Sequence, residues 1–355
     1  MSLDKILKNV SCWMKVKGPM SDVVISSRIR IARNLINIPF PLLITPSKAK
    51  EVVDLVNNSL KDKNDLLKNL QLIYMNDLSD VEKKVLVEKH LISPLLAETS
   101  RYGAVLLNEN ESISIMLNEE DHLRIQCIFP GFQLEESWEL ANKIDDFFER
   151  HLSYAFDDRY GYLTSCPTNV GTGIRASVMV HLPALAMLQQ LQQLLPAITQ
   201  VGLTVRGIYG EGSEALGNLY QISNQITLGQ SENEIIDKLQ GVVRQIIEHE
   251  FNARKMLLKE SRVQLEDRIY RSYGILKNSR IIDSKEAMKK LSDVRLGCDL
   301  NLIPNLPFGV INELMVMVQP GFLQQYMETF LDSQQRDIKR SLLIRKHLAN
   351  VTKED

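Results

Sequence analysis

Two hydrophobic periods alternate along this chain, and the points where one replaces the other outline an architecture. From Val23 to Asn34 the run reads as extended and carries Arg28, Arg30 and Arg33. Pro39 and Pro41 then interrupt it. Thr45-Pro46 predicts a helix to about Lys61, with proline at the first helical position, where its missing N–H leaves no bond unmade. Ser79-x-x-Glu82 reads as a capping box opening a second helix. From Tyr102 the period falls to two. Ala104 to Leu107 precedes an Asn/Glu turn, then Ile113, Ile115 and Leu117 alternate with polar residues and Leu123 to Phe129 alternates again, and such consecutive short runs predict an antiparallel sheet.

Leu134, Trp138, Ala141, Ile144, Phe148 and Leu152 step by three or four, which predicts a long amphipathic helix. A turn built on Gly171 and Gly173 follows. After it Ile174, Ala176, Val178 and Val180 take one face and Arg175, Ser177, Met179 and His181 the other, the pattern of a half-buried strand. Strand-like runs recur at Leu203 to Tyr209 and Tyr220 to Leu228. Ser231-x-x-Glu234 caps a helix whose stripe is Ile235, Leu239, Val242 and Ile246. Helical spacing then continues to the end, with Met315 to Val318 as a buried helix face. The fold expected is α+β, an antiparallel β-sheet flanked by helices (residues 1–254) followed by a mainly helical C-terminal domain (residues 255–355).

Composition narrows the function classes. A chain of 355 residues with 44% hydrophobic content can bury the cores of two domains. Forty-two Lys and Arg against 44 Asp and Glu leave a net charge of −2, which removes any bulk attraction to nucleic acid. No apolar run approaches membrane-spanning length, and the first residues lack a signal-peptide core. Cys12, Cys127, Cys166 and Cys298 lie far apart with no Cys-x-x-Cys pair, which argues against a zinc site or disulfide framework and fits reduced thiols. The expectation is a soluble cytoplasmic protein with no metal site of its own.

The candidate chemistry begins with a pattern that fails. Gly171-Thr-Gly173-Ile-Arg-Ala176 matches G-x-G-x-x-A, but that fingerprint needs a helix after it, and here the alternation is that of a strand. There is no phosphate-binding G-x-x-x-x-G-K-[ST] loop, and no His-Arg-Asp or Asp-Phe-Gly set. Arginines on four separate strand-like segments offer another route: Arg28 and Arg30, Arg124, Arg175, and Arg206. Alone, each reads as a surface or salt-bridged residue. Gathered on the polar faces of neighbouring strands they would repel one another unless a polyanion neutralised them, and a triphosphate with Mg²⁺ supplies one.

Carboxylates complete the set. Glu119, Glu120 and Asp121 stand directly before Arg124, and Glu211 sits in a Gly-flanked turn after Arg206. For Glu119 a solvated turn is the expectation. For Glu120 and Glu211 there is chemical logic in gripping a planar guanidinium, aligning it and accepting its proton. His122 and His181 read as structural, and Trp13 and Trp138 as core or interface residues.

Four segments carry a family resemblance: Ser26-Ser-Arg-Ile-Arg-x-x-Arg-Asn34, Asn118-Glu-Glu-Asp-His-Leu-Arg124, Cys166-Pro-Thr-Asn-Val-Gly-Thr-Gly-Ile-Arg-Ala-Ser-Val178 and Arg206-Gly-x-x-Gly-Glu211. In this order, over about Val23 to Glu250, they resemble the ATP:guanidino phosphotransferases, the family of creatine and arginine kinases. The resemblance implies ATP and Mg²⁺ as cofactors and Arg28, Arg30, Arg124, Arg175 and Arg206 as phosphate-binding arginines. Around these it implies nucleotide-binding segments comprising Ser27, Ile29 and Ile31; Ala176, Ser177, Val178 and Met179; and Gly207, Ile208, Tyr209, Gly210 and Glu211. His90 corresponds more loosely to an adenine-contacting histidine. Glu120 and Glu211 match guanidinium-binding carboxylates, Glu120 being the better candidate base. Cys166 matches the cysteine beside the guanidinium, which is not a covalent nucleophile.

Two departures point further. In the metabolite kinases a helical domain precedes the first motif and carries a loop that closes over a small acceptor. Here Arg28 nearly begins the sequence, and a helical region after about Arg254 is extra. Both features resemble the bacterial protein-arginine kinases of the McsB type. That resemblance implies an acceptor arginine within a protein, a role in stress response and protein quality control, and a homo-oligomer. It also implies a zinc-binding activator protein and a Clp-type unfoldase as partners and a stress-gene repressor as substrate, with no direct nucleic-acid or membrane partner. Arg336-Asp-Ile-Lys-Arg-Ser341 resembles the Arg-Asp-x-x-Arg-Ala phosphoarginine-binding motif, so Arg336, Asp337, Arg340 and Ser341 are the implied contacts, with serine in place of alanine. A metabolite guanidino kinase and a non-catalytic phosphoarginine-binding adaptor remain as alternatives, the full set of arginines and carboxylates weighing against the adaptor.

Overall fold

The computed structural model describes residues 3–62, 66–98, 102–207, 215–304 and 306–351. Helices α1 (Leu3–Lys8) and α2 (Cys12–Lys15) lead into strand β1 (Val24–Arg33). Then come α3 (Pro46–Ser59), β2 (Gln71–Tyr74), α4 (Asp80–Glu88) and α5 (Pro94–Glu98). The meander β3 (Ala104–Leu107), β4 (Ile113–Leu117) and β5 (Leu123–Pro130) runs into α6 (Leu134–His151). A short hairpin, β6 (Phe156–Asp157) and β7 (Gly161–Tyr162), precedes β8 (Ile174–His181), α7 (Pro183–Met187), α8 (Leu191–Gln200), β9 (Leu203–Arg206) and β10 (Leu219–Asn224). The remainder is α9 (Glu232–Glu260), α10 (Arg262–Asn278), α11 (Ser284–Asp299), α12 (Phe308–Met317), α13 (Pro320–Met327) and α14 (Ser333–Val351).

Eight strands form one sheet in the order β2-β3-β4-β5-β1-β8-β10-β9, every neighbouring pair antiparallel. Alternation decides its two faces. Ile29 and Ile31, Ile125 and Cys127, and Ala176 and Val178 share one face and are fully buried against α6 and α9. The expected α+β architecture is the one observed. The serine caps act as their spacing predicts: Ser79 and Ser231 each accept a hydrogen bond from the N–H three residues on, and Glu82 and Glu234 return the bond.

Three expectations shift. β8 is buried on both faces, with Ser177, Met179 and His181 as inaccessible as the apolar positions. Its polar alternation reflects a covered site, and at its end His181 Nε2 lies 2.8 Å from Ser292 Oγ of α11. On α9 the buried stripe takes Val243 where Val242 is expected, Val242 being half-buried. That helix also runs unbroken through residues 254–255 and stops at Ser261, so the change to an all-helical region falls without a linker.

The C-terminal helices are fastened to the sheet by interior polar contacts. Arg295 Nη2 donates to Ser21 O at 2.6 Å and Arg254 Nη2 to Asp22 O at 2.9 Å. Glu88 at the end of α4 accepts the N–H groups of Gly321 and Phe322, at 2.8 and 2.7 Å, at the start of α13. Burial, then Arg295 and Arg254, push His181 far below its ordinary value near 6.5. With the folded pKa below the unfolded one, this histidine's contribution is present above about pH 6.5 and lost as pH falls below it, by up to about 1.4 kcal/mol per pH unit. His181→Gln is therefore expected to flatten the acid limb of the stability profile, read as denaturation midpoints from pH 7 downward. An unchanged slope would show that His181 does not set it.

Arg33, the third arginine of the first motif, points to the helical face rather than to its neighbours' side. Its Nε and Nη2 donate to Asp145 Oδ2 of α6 at 3.1 and 2.6 Å, and its Nη1 donates to Ala32 O and Thr172 O. The guanidinium also stacks 3.4 Å from the Tyr162 ring centroid. This buried pair ties β1, α6 and the glycine turn together. Gly173 has φ +67°, and a Cβ there would sit 2.6 Å from both Ala32 O and Arg33 Nη1. Asp145→Ala strands the buried guanidinium and is expected to cost about 3–5 kcal/mol in urea unfolding. A loss below about 1 kcal/mol would mean that the pair does not hold these elements together.

Candidate active site

The second face of the sheet is where the arginines meet. The register sets Arg30 opposite Gln126 and Arg175, Ala32 opposite Arg124, Arg28 opposite Ser177, and Gln221 opposite Arg206. Directly opposed residues share a face, so β5, β1, β8 and β9 all direct arginines to the same side, with Gln221 and Ser223 of β10 between them. A cavity of about 560 Å³ is lined by Arg30, Arg124, Arg175 and Arg206 together with Glu120 and Cys166. A smaller one of about 150 Å³ continues it past Arg28, His90 and Gln221.

Among the described residues few anions offset these cations. Arg28 donates from Nη2 to Gln221 at 2.8 Å and weakly to Ser177, and Arg175 Nη2 donates to Ser223 Oγ at 3.3 Å, all neutral acceptors. Burial, then Arg175 and Arg124, lower Arg28 to about 10. Arg30 is pushed well below the usual guanidinium range by burial, then by Arg28, Arg124 and Arg175. Arg124 differs. Burial lowers it, but the carboxylates of Glu119, Glu120 and Asp121 raise it further. An arrangement in which cations weaken one another's charged forms fits a polyanion. His90, held at φ +58°, is lowered to about 3 by burial, then by Arg28 and Arg30, so its ring is neutral.

Glu120 belongs to a tightly stitched turn. Arg124 Nη2 donates to Glu120 Oε2 at 2.8 Å, and its Nη1 meets Glu119 Oε2 at 2.7 Å. Glu119 also accepts from Ser93 Oγ at 2.5 Å and from Glu120 N at 2.9 Å. The solvated-turn expectation for Glu119 is thus corrected. It is 7% exposed, because the guanidinium that follows five residues later folds back onto it. Asp121, fully buried, accepts from Asn34 Nδ2 and from Ser165 N, both at 2.7 Å. One carboxylate therefore locks the Glu120 turn to the end of β1 and to the loop of Cys166. Cys166 Sγ lies 3.0 Å from Thr168 Oγ1 at the cavity wall. His122 serves structure, accepting Leu35 N at Nδ1 and facing Pro39 O at Nε2.

The remaining candidates separate by face. The side chains of Ile29, Ile31, Ala176 and Val178 lie in the helical core and do not reach the cavity, since alternation turns them away from the arginines. Ser27 is buried on that side too, donating to Gly131 O and accepting from Gln133 N where α6 begins. Met179 is on the arginine face but lines a different cavity, with Ile25, Met288 and Met315. Gly207 is buried beside Arg206; Ile208, Tyr209, Gly210 and Glu211 lie outside the described residues. Gln221, Ser223 and Gln225 line or partner the site without a motif to signal them, apart from the polar positions of the β10 alternation, and Asn169 lines it from within the Cys166–Val178 motif.

In α14 the four motif residues divide. Arg340 is 2% exposed and donates to Val318 O, Ile282 O and Asp337, while the Ser341 hydroxyl, also buried, donates to Arg280 O and Ile338 O. Arg340 and Ser341 are thus engaged in interior hydrogen bonds, and Arg336 and Asp337 are half-exposed. Among the described residues no three His, Cys, Asp or Glu side chains converge on a metal-sized site, and the four cysteines are free. No helix among those residues is long and apolar enough to cross a membrane.

Comparison with known proteins identifies the family. Residues 51–253 match the family described as ATP:guanido phosphotransferase, C-terminal catalytic domain, and residues 262–355 match the protein-arginine kinase McsB C-terminal domain. The chain is 61% identical to a protein-arginine kinase of Halalkalibacterium halodurans, over 98% of both chains. It is 60% identical to one of Brevibacillus brevis over the full length of each. Among solved structures it shares its fold with a lombricine kinase, at a TM-score of 0.57 and 22% identity over 70% of this chain and 75% of that one.

Proposed function

We infer, for a chain that belongs to the ATP:guanido phosphotransferase family and carries the C-terminal domain of its protein-arginine kinases, that it transfers the γ-phosphoryl group of ATP to arginine side chains of proteins. The observation that carries this reading is Arg124 holding Glu120 at the rim of a cavity where arginines from three other strands converge. Cations on the floor suit a triphosphate, and a carboxylate at the rim suits a guanidinium. The phosphate acceptor would enter beside the donor.

Arg28, Arg30, Arg124, Arg175 and Arg206 would hold the phosphates and offset the charge that builds on the transferring group. Mg²⁺ would arrive on the nucleotide as part of the substrate, held by phosphate oxygens and water rather than by a protein cage. Glu120, and by resemblance Glu211, would hold the planar guanidinium in line with the γ-phosphorus. The acceptor nitrogen then bonds to phosphorus, the β–γ bridging oxygen leaves with ADP, and the Glu120 carboxylate accepts the proton. Cys166 would flank the acceptor, and His90, kept neutral, would meet the base. Arg336, Asp337, Arg340 and Ser341 would meet phosphoarginine, Arg336 and Asp337 being the half-exposed pair. Action in the cytoplasm in stress response and protein quality control, in a homo-oligomer, with a zinc-binding activator, a Clp-type unfoldase and a stress-gene repressor as partners, belongs to the same reading and rests on the sequence resemblance.

Incubation with ATP, Mg²⁺ and either casein or free arginine, followed by detection of acid-labile phosphate on arginine, tests it. Label on casein well above label on free arginine is expected. Label on free arginine alone would make this a metabolite kinase, and no label on either with an activator present would favour the adaptor.

A further inference from the structure

Glu120 borders a second hollow as well as the arginine-lined cavity. A groove of about 660 Å³ starts at Glu119, Glu120 and Ser165 and runs out between Leu42, Leu95 and Tyr102. Its polar end is the carboxylate already assigned to the acceptor, and its far end is apolar and open to solvent. Leu42 is 91% exposed and its neighbour Leu43 78%.

Two adjacent leucines in water on a loop need a reason. This loop is held. Pro39 and Pro41 restrict its backbone, Leu43 N donates to Phe40 O at 2.9 Å, and Phe40 packs edge-on to His122 with centroids 6.1 Å apart. Pro39 O lies 3.0 Å from Nε2 of the same histidine, which follows Glu120 by two residues. The loop that carries the apolar tip and the turn that carries the acceptor carboxylate are therefore joined at His122.

We propose that this groove is the polypeptide subsite of the acceptor, and that it selects arginines with apolar neighbours in sequence. The proposal rests on the protein-arginine kinase reading and adds a specificity to it. An arginine whose guanidinium reaches Glu120 must have its backbone within one side-chain length of this carboxylate, which lines both cavities. The residues on one side of it then lie along the groove, where leucine-sized side chains cover Leu42 and Tyr102 and remove apolar surface from water. Free arginine brings nothing to fill it.

The test uses three acceptors: a peptide with one arginine flanked by leucines, the same peptide with serines instead, and blocked arginine (N-acetyl-arginine amide). The leucine peptide is expected to show a KM about tenfold below the serine peptide at similar kcat. In the double variant Leu42→Asp, Leu43→Asp that difference should vanish, while kcat/KM for blocked arginine stays at the parent value. Both leucines are exposed, so folding is not at stake. Equal KM values in the parent, or a preference that survives in the variant, would overturn the subsite while leaving the kinase reading intact. Phosphate on none of the acceptors or on casein would remove the kinase reading itself and the subsite with it. Light scattering supplies the last arm. An unchanged mass supports the proposal, and a parent oligomer that dissociates in the variant would make the leucines a contact between copies.

Discussion

Glu120→Gln is expected to lower kcat for phosphoryl transfer by about 10²–10⁴-fold while ATP affinity changes by no more than about threefold. Glutamine keeps the shape and can still accept the hydrogen bond that Arg124 Nη2 now makes at 2.8 Å. It cannot take a proton from the acceptor, and it presents no charge to a guanidinium. The two effects fall on the acceptor side, so nucleotide titration by calorimetry should see little of them. Retained activity would sink the assignment. Glu119→Gln is the informative neighbour: Glu119 holds Arg124, Ser93 and the Glu120 amide rather than facing the cavity, so its loss should misplace the carboxylate and soften the pH profile without abolishing turnover.

Arg30→Ala is expected to reduce kcat/KM for ATP by about 10³-fold or more, and at the same time to raise the melting temperature of the nucleotide-free protein. The two opposite signs have one cause. Burial and the charges of Arg28, Arg124 and Arg175 all disfavour the Arg30 guanidinium in the empty cavity, and its buried Nε has no hydrogen-bond partner among the described residues. Removing it relieves repulsion and desolvation that only a bound polyanion would compensate. Thermal stabilisation by ATP, which scales with the affinity, should shrink accordingly. Arg30→Lys should restore little activity, because an ammonium cannot fork two bonds onto a phosphate. A melting temperature that falls on Arg30→Ala would show that the arginine supports the fold rather than the ligand.

How much of this was legible in advance differs residue by residue. Arg28, Arg30, Arg124, Arg175 and Arg206 each sit at a polar position of an alternating run, so the place of each on the polar face of its own strand follows from the period, while their common side follows from the strand pairings. Glu120 was separable from Glu119 only by resemblance. The two are chemically identical and adjacent, and which one turns inward depends on Arg124 folding back and on Ser93 from a different element. Asn34 and Asp121 fall inside the first and second motifs, but their part as cross-links of the site is not marked there, because the partners of Asp121 are 44 and 87 residues away in sequence. In α14, helical spacing places Arg336 and Arg340 one turn apart but says nothing about the carbonyls of Val318 and Ile282, which occupy the second of them.

By itself the sequence determined the elements, the face each side chain takes, the caps that begin the helices and the list of arginines able to act together, since all of these depend on spacing within a few residues. Only the tertiary structure decided that β5, β1, β8, β10 and β9 lie side by side, that β8 is covered on both faces, and that an apolar groove meets the arginine cavity at Glu120. Those depend on strand pairings and packing between distant segments, and a local period has no information about which partner a strand will find.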